Sequence, residues 1–130
     1  MSEEQTPKTI LLVEDDDFVG RAYKDGLRRA GFLVETAMDG NEAVKKAKSV
    51  LPDLIVLDLV MPLKNGFEVL EELRKDKAYS AIPIMVVSNL GQETDIEKAM
   101  QLGATDYLIK NQFSMKQMVE RIQKYLGMQG

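Results

Sequence analysis

Five short apolar runs punctuate the chain: Thr9–Val13, Phe32–Ala37, Asp53–Leu59, Ile82–Ser88 and Thr105–Ile109. Residues 10–13 (ILLV) and 54–57 (LIVL) are continuously apolar, as strands buried on both faces of a sheet are. Between the runs, the apolar residues change to helical spacing. Val19, Ala22, Tyr23, Gly26 and Ala30 follow one helical stripe, with Leu27 alongside. Ala43, Val44, Ala47, Val50 and Leu51 form a second, and Phe67, Leu70 and Leu73 a third. Ile96, Ala99, Met100 and Gly103 form a fourth, and Met115, Met118, Val119, Ile122 and Leu126 a fifth.

Helix starts carry capping chemistry. Asp16 or Asp17 suits the first helix and Asp39 or Asn41 the second, because a short polar side chain can accept from an orphan amide. Thr94–Glu97 and Ser114–Gln117 fit the reciprocal capping box. Gly31, Gly103 and Gly127 stand where C-caps are wanted. Pro52 and Pro83 mark strand entries. The order is therefore (βα)5, which predicts an α/β fold: a doubly wound, five-stranded parallel sheet with helices on both faces and right-handed crossovers.

Composition narrows the function. The 130 residues suit one domain, and 45% of them are hydrophobic, well inside the globular range. Seventeen basic residues against 21 acidic ones give a net charge of -4, so no nucleic-acid partner is expected. The chain has no cysteine and no histidine, which removes disulfides, thiolate chemistry, a histidine base and a histidine-ligated metal. The polar start MSEEQTPK is no signal peptide, and no apolar run approaches a membrane span, so a cytoplasmic protein with no membrane partner is expected. The last predicted helix leaves only Gly127–Gly130, which reads as a stand-alone domain with no output domain.

Ligands of an open parallel sheet bind beyond the carboxyl ends of its strands. Strand one closes on Glu14, Asp15, Asp16 and Asp17, and strand two near Asp39. Strand three runs into Asp58 within LIVLDLVMP. Strand four closes on Ser88 and Asn89, and strand five on Lys110 and Asn111. A carboxylate embedded in so apolar a stretch needs partners or a site. Asp16 and Asp17 are read as favouring the helix macrodipole. Glu14 and Asp15 share the layer of Asp58, and three acids against Lys110 alone repel one another unless a cation intervenes. An all-oxygen donor set in an open site favours Mg2+. Lys110 and Ser88 add one cation and one hydroxyl suited to phosphoryl oxygens.

The pattern ILLVEDD…DLIVLDLVMPLKNGFEVL…IPIMVVSN…GATDYLIK resembles the receiver domain of two-component response regulators, from about Lys8 to Leu126. The resemblance implies a CheY-like, flavodoxin-like fold with strand order 2-1-3-4-5. It divides the chain into a disordered tail over 1–7, the receiver over 8–127 and a short tail over 128–130. It implies a phosphorylation-activated switch rather than an enzyme with its own substrate turnover. Asp58 would be the phosphoacceptor. Asp15, Asp58 and the backbone carbonyl of Val60 would bind Mg2+, with Glu14 acting through water. Lys110 and Ser88 would hold the phosphoryl group, Ser88 and Tyr107 would be the switch pair, and Pro62 and Gly66 would shape the loop beyond Asp58. Phosphorylation would draw Ser88 towards Asp58, turn Tyr107 inward and remodel the face of the fourth helix, fifth strand and fifth helix. The implied partners are a sensor histidine kinase or histidine phosphotransfer protein, and a downstream protein target.

Three positions depart from the family pattern. Glu14 stands where Asp is commoner, Asn89 where a small residue is frequent, and Asn111 where the family has Pro after a cis bond. A cis bond before Asn costs about 2.5–4 kcal/mol, and its retention at Lys110–Asn111 is the expectation. Three alternatives compete. An aspartyl phosphohydrolase would place its nucleophile after strand one and carry a further domain. A flavin carrier would need a small-residue phosphate loop where this chain has EDDD. A pseudo-receiver would be an interaction module that never takes phosphate, and it ranks second.

Overall fold

The computed structural model describes residues 6–128, and its strands follow the five apolar runs with trimmed ends. They are β1 (Thr9–Val13), β2 (Leu33–Ala37), β3 (Leu54–Leu57), β4 (Ile84–Ser88) and β5 (Asp106–Ile109). The helices are α1 (Asp17–Arg29), α2 (Gly40–Val50), α3 (Gly66–Lys75), α4 (Glu93–Gln101) and α5 (Met115–Tyr125), with a 3-10 turn over Lys77–Tyr79. All strand pairs are parallel and the sheet order is β2-β1-β3-β4-β5. The predicted fold and strand order are those observed.

Strand alternation divides the core in two. Leu11, Val13, Ile55, Leu57, Ile84 and Val86 face α2, α3 and α4, where Ala43, Ala47, Val69, Leu70, Leu73 and Ala99 meet them. Ile10, Leu12, Leu54, Val56, Met85 and Val87 face the other way, against Leu27 of α1 and Met118 and Ile122 of α5. Both faces of β3 are thus covered, which is why its four residues are all apolar.

The caps settle the open alternatives. Asp16 accepts from the Val19 amide and Asp39 from the Glu42 amide. Ser114 and Gln117 form the expected reciprocal box. Gly31, Gly103 and Gly127 all take positive φ. The Thr94–Glu97 box does not form: α4 starts two residues earlier than that box would have it, with Gln92 at its N-cap and no side-chain bond there. The helix stripe expected from Ile96 and Met100 is also thinner than its spacing suggested, since Ala99 is the only buried residue of α4. Asn65 and Glu68 instead make a capping box at α3, inside what read as loop.

The expected cis bond at Lys110–Asn111 is corrected. Among the described residues no peptide bond is cis, and Asn111 turns the chain at φ 76 instead. Asn enters the left-handed region with less penalty than most residues, so the turn is made by a backbone dihedral that proline cannot adopt. Of the proposed tails, residues 1–5 and 129–130 lie outside the described residues. Thr6 and Pro7 lead into β1 without regular structure.

Candidate functional site

The ladder runs one residue past three strand ends, and those three residues carry the charges. The Glu14 amide donates to Ala37 O at 3.0 Å, the Asp58 amide to Val13 O at 3.0 Å and the Lys110 amide to Ser88 O at 2.9 Å. With Val13 paired to Leu57, Glu14 and Asp58 follow side by side at the carboxyl edge. Ser88, paired to Ile109, closes the same edge from β4. Register and strand termination therefore place the charged side chains, with the apolar layer ending one residue before them.

Glu14 is 6% exposed and Asp58 5%. Lys110 Nζ lies 2.7 Å from Glu14 Oε1 and 3.3 Å from Asp58 Oδ2. Asp15 is exposed at the mouth. Carboxylate oxygens of Glu14, Asp15 and Asp58 lie within 4.8 Å of one another. Hard oxygen donors at that separation, partly open to water, suit Mg2+ by size and charge. Burial, reinforced by the charge of Asp58, pushes Glu14 up to about 7 despite the bond from Lys110. Burial alone would lower Lys110, but the bond to Glu14 and the charge of Asp58 hold it above the ordinary lysine value.

The remaining expected residues ring this cluster. Ser88 is fully buried, and its Oγ accepts from the Leu90 amide at 3.2 Å. The half-buried Tyr107 donates its hydroxyl to Leu90 O. Val60 is exposed, and its amide donates to Asp58 Oδ1 at 3.3 Å. Gly66 opens α3 hard against the site: a Cβ there would stand 2.3 Å from Asp58 O and 2.6 Å from Leu59 Cα. Pro62 lies exposed in the same loop, ahead of Leu63 at φ 68. Asn89 is exposed beside Ser88.

Two participants escaped the sequence. Leu90 joins Ser88 to Tyr107 through its amide and its carbonyl, and backbone groups leave no signature in residue identity. Gly40, the first residue of α2, touches the loop after Asp58, where a Cβ would come within 1.8 Å of Lys64 O. Its only signal was the Asp-Gly pair ahead of a helix.

Comparison with known proteins gives matches over nearly the whole chain. A family model described as "Response regulator receiver domain" matches residues 10–123. The alkaline phosphatase synthesis transcriptional regulatory protein PhoP of Bacillus subtilis is 39% identical over 119 residues, covering 92% of this chain and 48% of that one. The chain spans about half the length of such curated relatives. A putative response regulator from Chloroflexus aurantiacus superposes with a TM-score of 0.88 at 30% identity, covering 94% of this chain and 99% of the other. The receiver domain of a Pseudomonas aeruginosa sensor histidine kinase, solved with a magnesium ion coordinated in its active site cleft, gives 0.87 at 29% identity, with coverage of 94% and 99%.

Proposed function

Because the chain belongs to the response regulator receiver domain family, a family of phosphorylation-activated signalling switches rather than metabolic enzymes, we propose that Asp58 takes a phosphoryl group from a phosphohistidine on a sensor histidine kinase or histidine phosphotransfer protein. The observation that supports this most is a 5%-exposed carboxylate beside Lys110, with two further acids in reach. A buried ion pair is by itself weak evidence of a stabilising role, so a cluster of this kind is better explained by a use in chemistry.

An Asp58 oxygen attacks phosphorus and an O–P bond forms. The P–N bond to the imidazole breaks as its electron pair returns to nitrogen. Little covalent machinery is needed, so the work falls to positioning and charge neutralisation. Lys110 meets the negative oxygens with its ammonium, and the Ser88 hydroxyl donates to another. Asp15, Asp58 and the Val60 carbonyl would hold Mg2+, with Glu14 acting through water. That ion would supply charge neutralisation for the acids and the phosphoryl group.

Ser88 would then leave the Leu90 amide for the phosphoryl group, and Tyr107 would lose its hold on Leu90 O and turn inward. Both bonds end on one residue at the start of the loop before α4, so releasing one loosens the other. The face formed by α4, β5 and α5 would change and meet a downstream protein target. Intact-mass measurement after incubation with acetyl phosphate and Mg2+ tests this function. The wild type should gain one phosphoryl group and Asp58→Asn none. A wild type that stays unmodified, while a reactive receiver labels alongside it, would leave the pseudo-receiver as the better account.

A further inference from the structure

The two buried acids of the site are bonded alike on one side and unequally on the other. Glu14 Oε2 accepts from the Asp16 amide at 3.2 Å, and Asp58 Oδ1 accepts from the Val60 amide at 3.3 Å. Each carboxylate is thus oriented by the backbone two residues ahead. The second oxygen of each faces Lys110, but the ammonium stands 2.7 Å from Glu14 and 3.3 Å from Asp58. Charge-assisted N–H···O bonds fall at about 2.7–2.9 Å. Lys110 is therefore fully bonded to Glu14 and only leans towards Asp58. With side-chain exposures of 11% for Lys110 and 4% for Glu14, water competes little for the pair.

We propose that Glu14 is the positioning residue for Lys110, holding the ammonium off the Asp58 oxygen at rest and yielding it when charge accumulates on the Asp58 side. This rests on the reading that Asp58 accepts the phosphoryl group. Glu14 does not touch the reacting atoms in this role; it acts through Lys110. A phosphoryl group carries about 1.5–2 negative charges against one for a carboxylate. Its arrival shifts the preference of Lys110 from Glu14 to the phosphoryl oxygens. At rest, the Asp58 oxygen stays free of a tight ion pair that would blunt it as a nucleophile. Side-chain length is what permits this: an aspartate at position 14, shorter by one methylene, would leave Lys110 to close on Asp58. The Glu at this position is then a device that sets where the lysine waits.

The test is NMR of the lysine ammonium group in metal-free, unphosphorylated protein at about pH 8, where Glu14 is ionised, and it does not depend on phosphoryl transfer. In the wild type, Lys110 Nζ should couple through its hydrogen bond to the Glu14 carboxyl carbon more strongly than to that of Asp58. Its hydrogens should exchange slowly with water. Glu14→Gln should speed that exchange by about tenfold, the factor expected when a charge-assisted hydrogen bond gives way to a neutral one. Asp58→Asn should leave it slow. Glu14→Asp should move the coupling to Asp58 rather than restore it to position 14. Stronger coupling to Asp58 in the wild type would overturn the assignment, and that reading needs no variant to fold. So would fast exchange in the wild type, or exchange that responds to Asp58→Asn as much as to Glu14→Gln. Acetyl phosphate labelling of the same samples reports separately on whether Asp58 is the acceptor.

Discussion

Replacing Glu14 by Gln should stabilise the metal-free protein above neutral pH, although it removes half of a buried ion pair. In the folded chain Glu14 holds its proton up to about 7, against 4.5 for an ordinary glutamate. The folded state therefore binds more protons than the unfolded one between those values, and stability falls as pH rises through that window. Below about 4.5 both states are protonated and Glu14 contributes nothing. Above 7 the full penalty is present. At about 1.4 kcal/mol per pKa unit, the penalty is on the order of 3 kcal/mol. Gln keeps the shape and drops the charge, but accepts a weaker bond from Lys110, a loss of about 1 kcal/mol. The net gain at pH 8 should be on the order of 2 kcal/mol, shrinking to nothing or reversing near pH 4. Urea denaturation with a chelator, repeated across pH for both proteins, measures the difference directly. Mg2+ should then narrow or invert it, because the wild type gains stability by mass action at a site the variant has weakened. A variant less stable than wild type at pH 8, or a difference that ignores pH, would refute the electrostatic account of the cluster.

Other substitutions test the frame around the site. Gly40→Ala should cost about 2–3 kcal/mol in urea denaturation, because its Cβ would stand 1.8 Å from a backbone oxygen that cannot move without shifting the loop after Asp58. Leu51 ends α2 at φ 53 and is 62% exposed. Leu51→Gly should therefore raise stability by about 1 kcal/mol, and lower stability would show that its side chain matters more than its backbone. Asn65→Ala removes the reciprocal cap of α3 and should cost about 1 kcal/mol, with faster amide exchange confined to the first turn of that helix.

The fold was legible because its strands are buried on both faces. ILLV and LIVL could not be amphipathic, and each ended in charge, so the sequence marked both the sheet and the edge that carries the acidic cluster. Asp58 stood out because the cost of burying it demanded an explanation. What stayed hidden depends on reach and on the backbone. Lys110 was expected beside Asp58, yet its closer partner is Glu14, a difference set by one methylene that no spacing encodes. The bridge through Leu90 uses only main-chain atoms. Thr94 had the residues of a capping box, but α4 begins at Glu93, which moves Thr94 inside the helix. Asn111 was expected to keep a proline-type bond, and the chain turns by a positive φ instead. Within the described residues no helix is long and apolar enough to cross a membrane.

The central claim is chemical: one particular carboxylate, Asp58, becomes an acyl phosphate. Borohydride reduces an acyl phosphate to an alcohol and leaves free carboxylates untouched, so it writes the site into the peptide. After incubation with acetyl phosphate and Mg2+, reduction and peptide mapping should find homoserine at position 58 and nowhere else, with the signal lost when the cation is chelated. Homoserine at position 15, the corresponding alcohol at position 14, or no reduced residue in a protein whose mass shows a phosphoryl group would contradict the account.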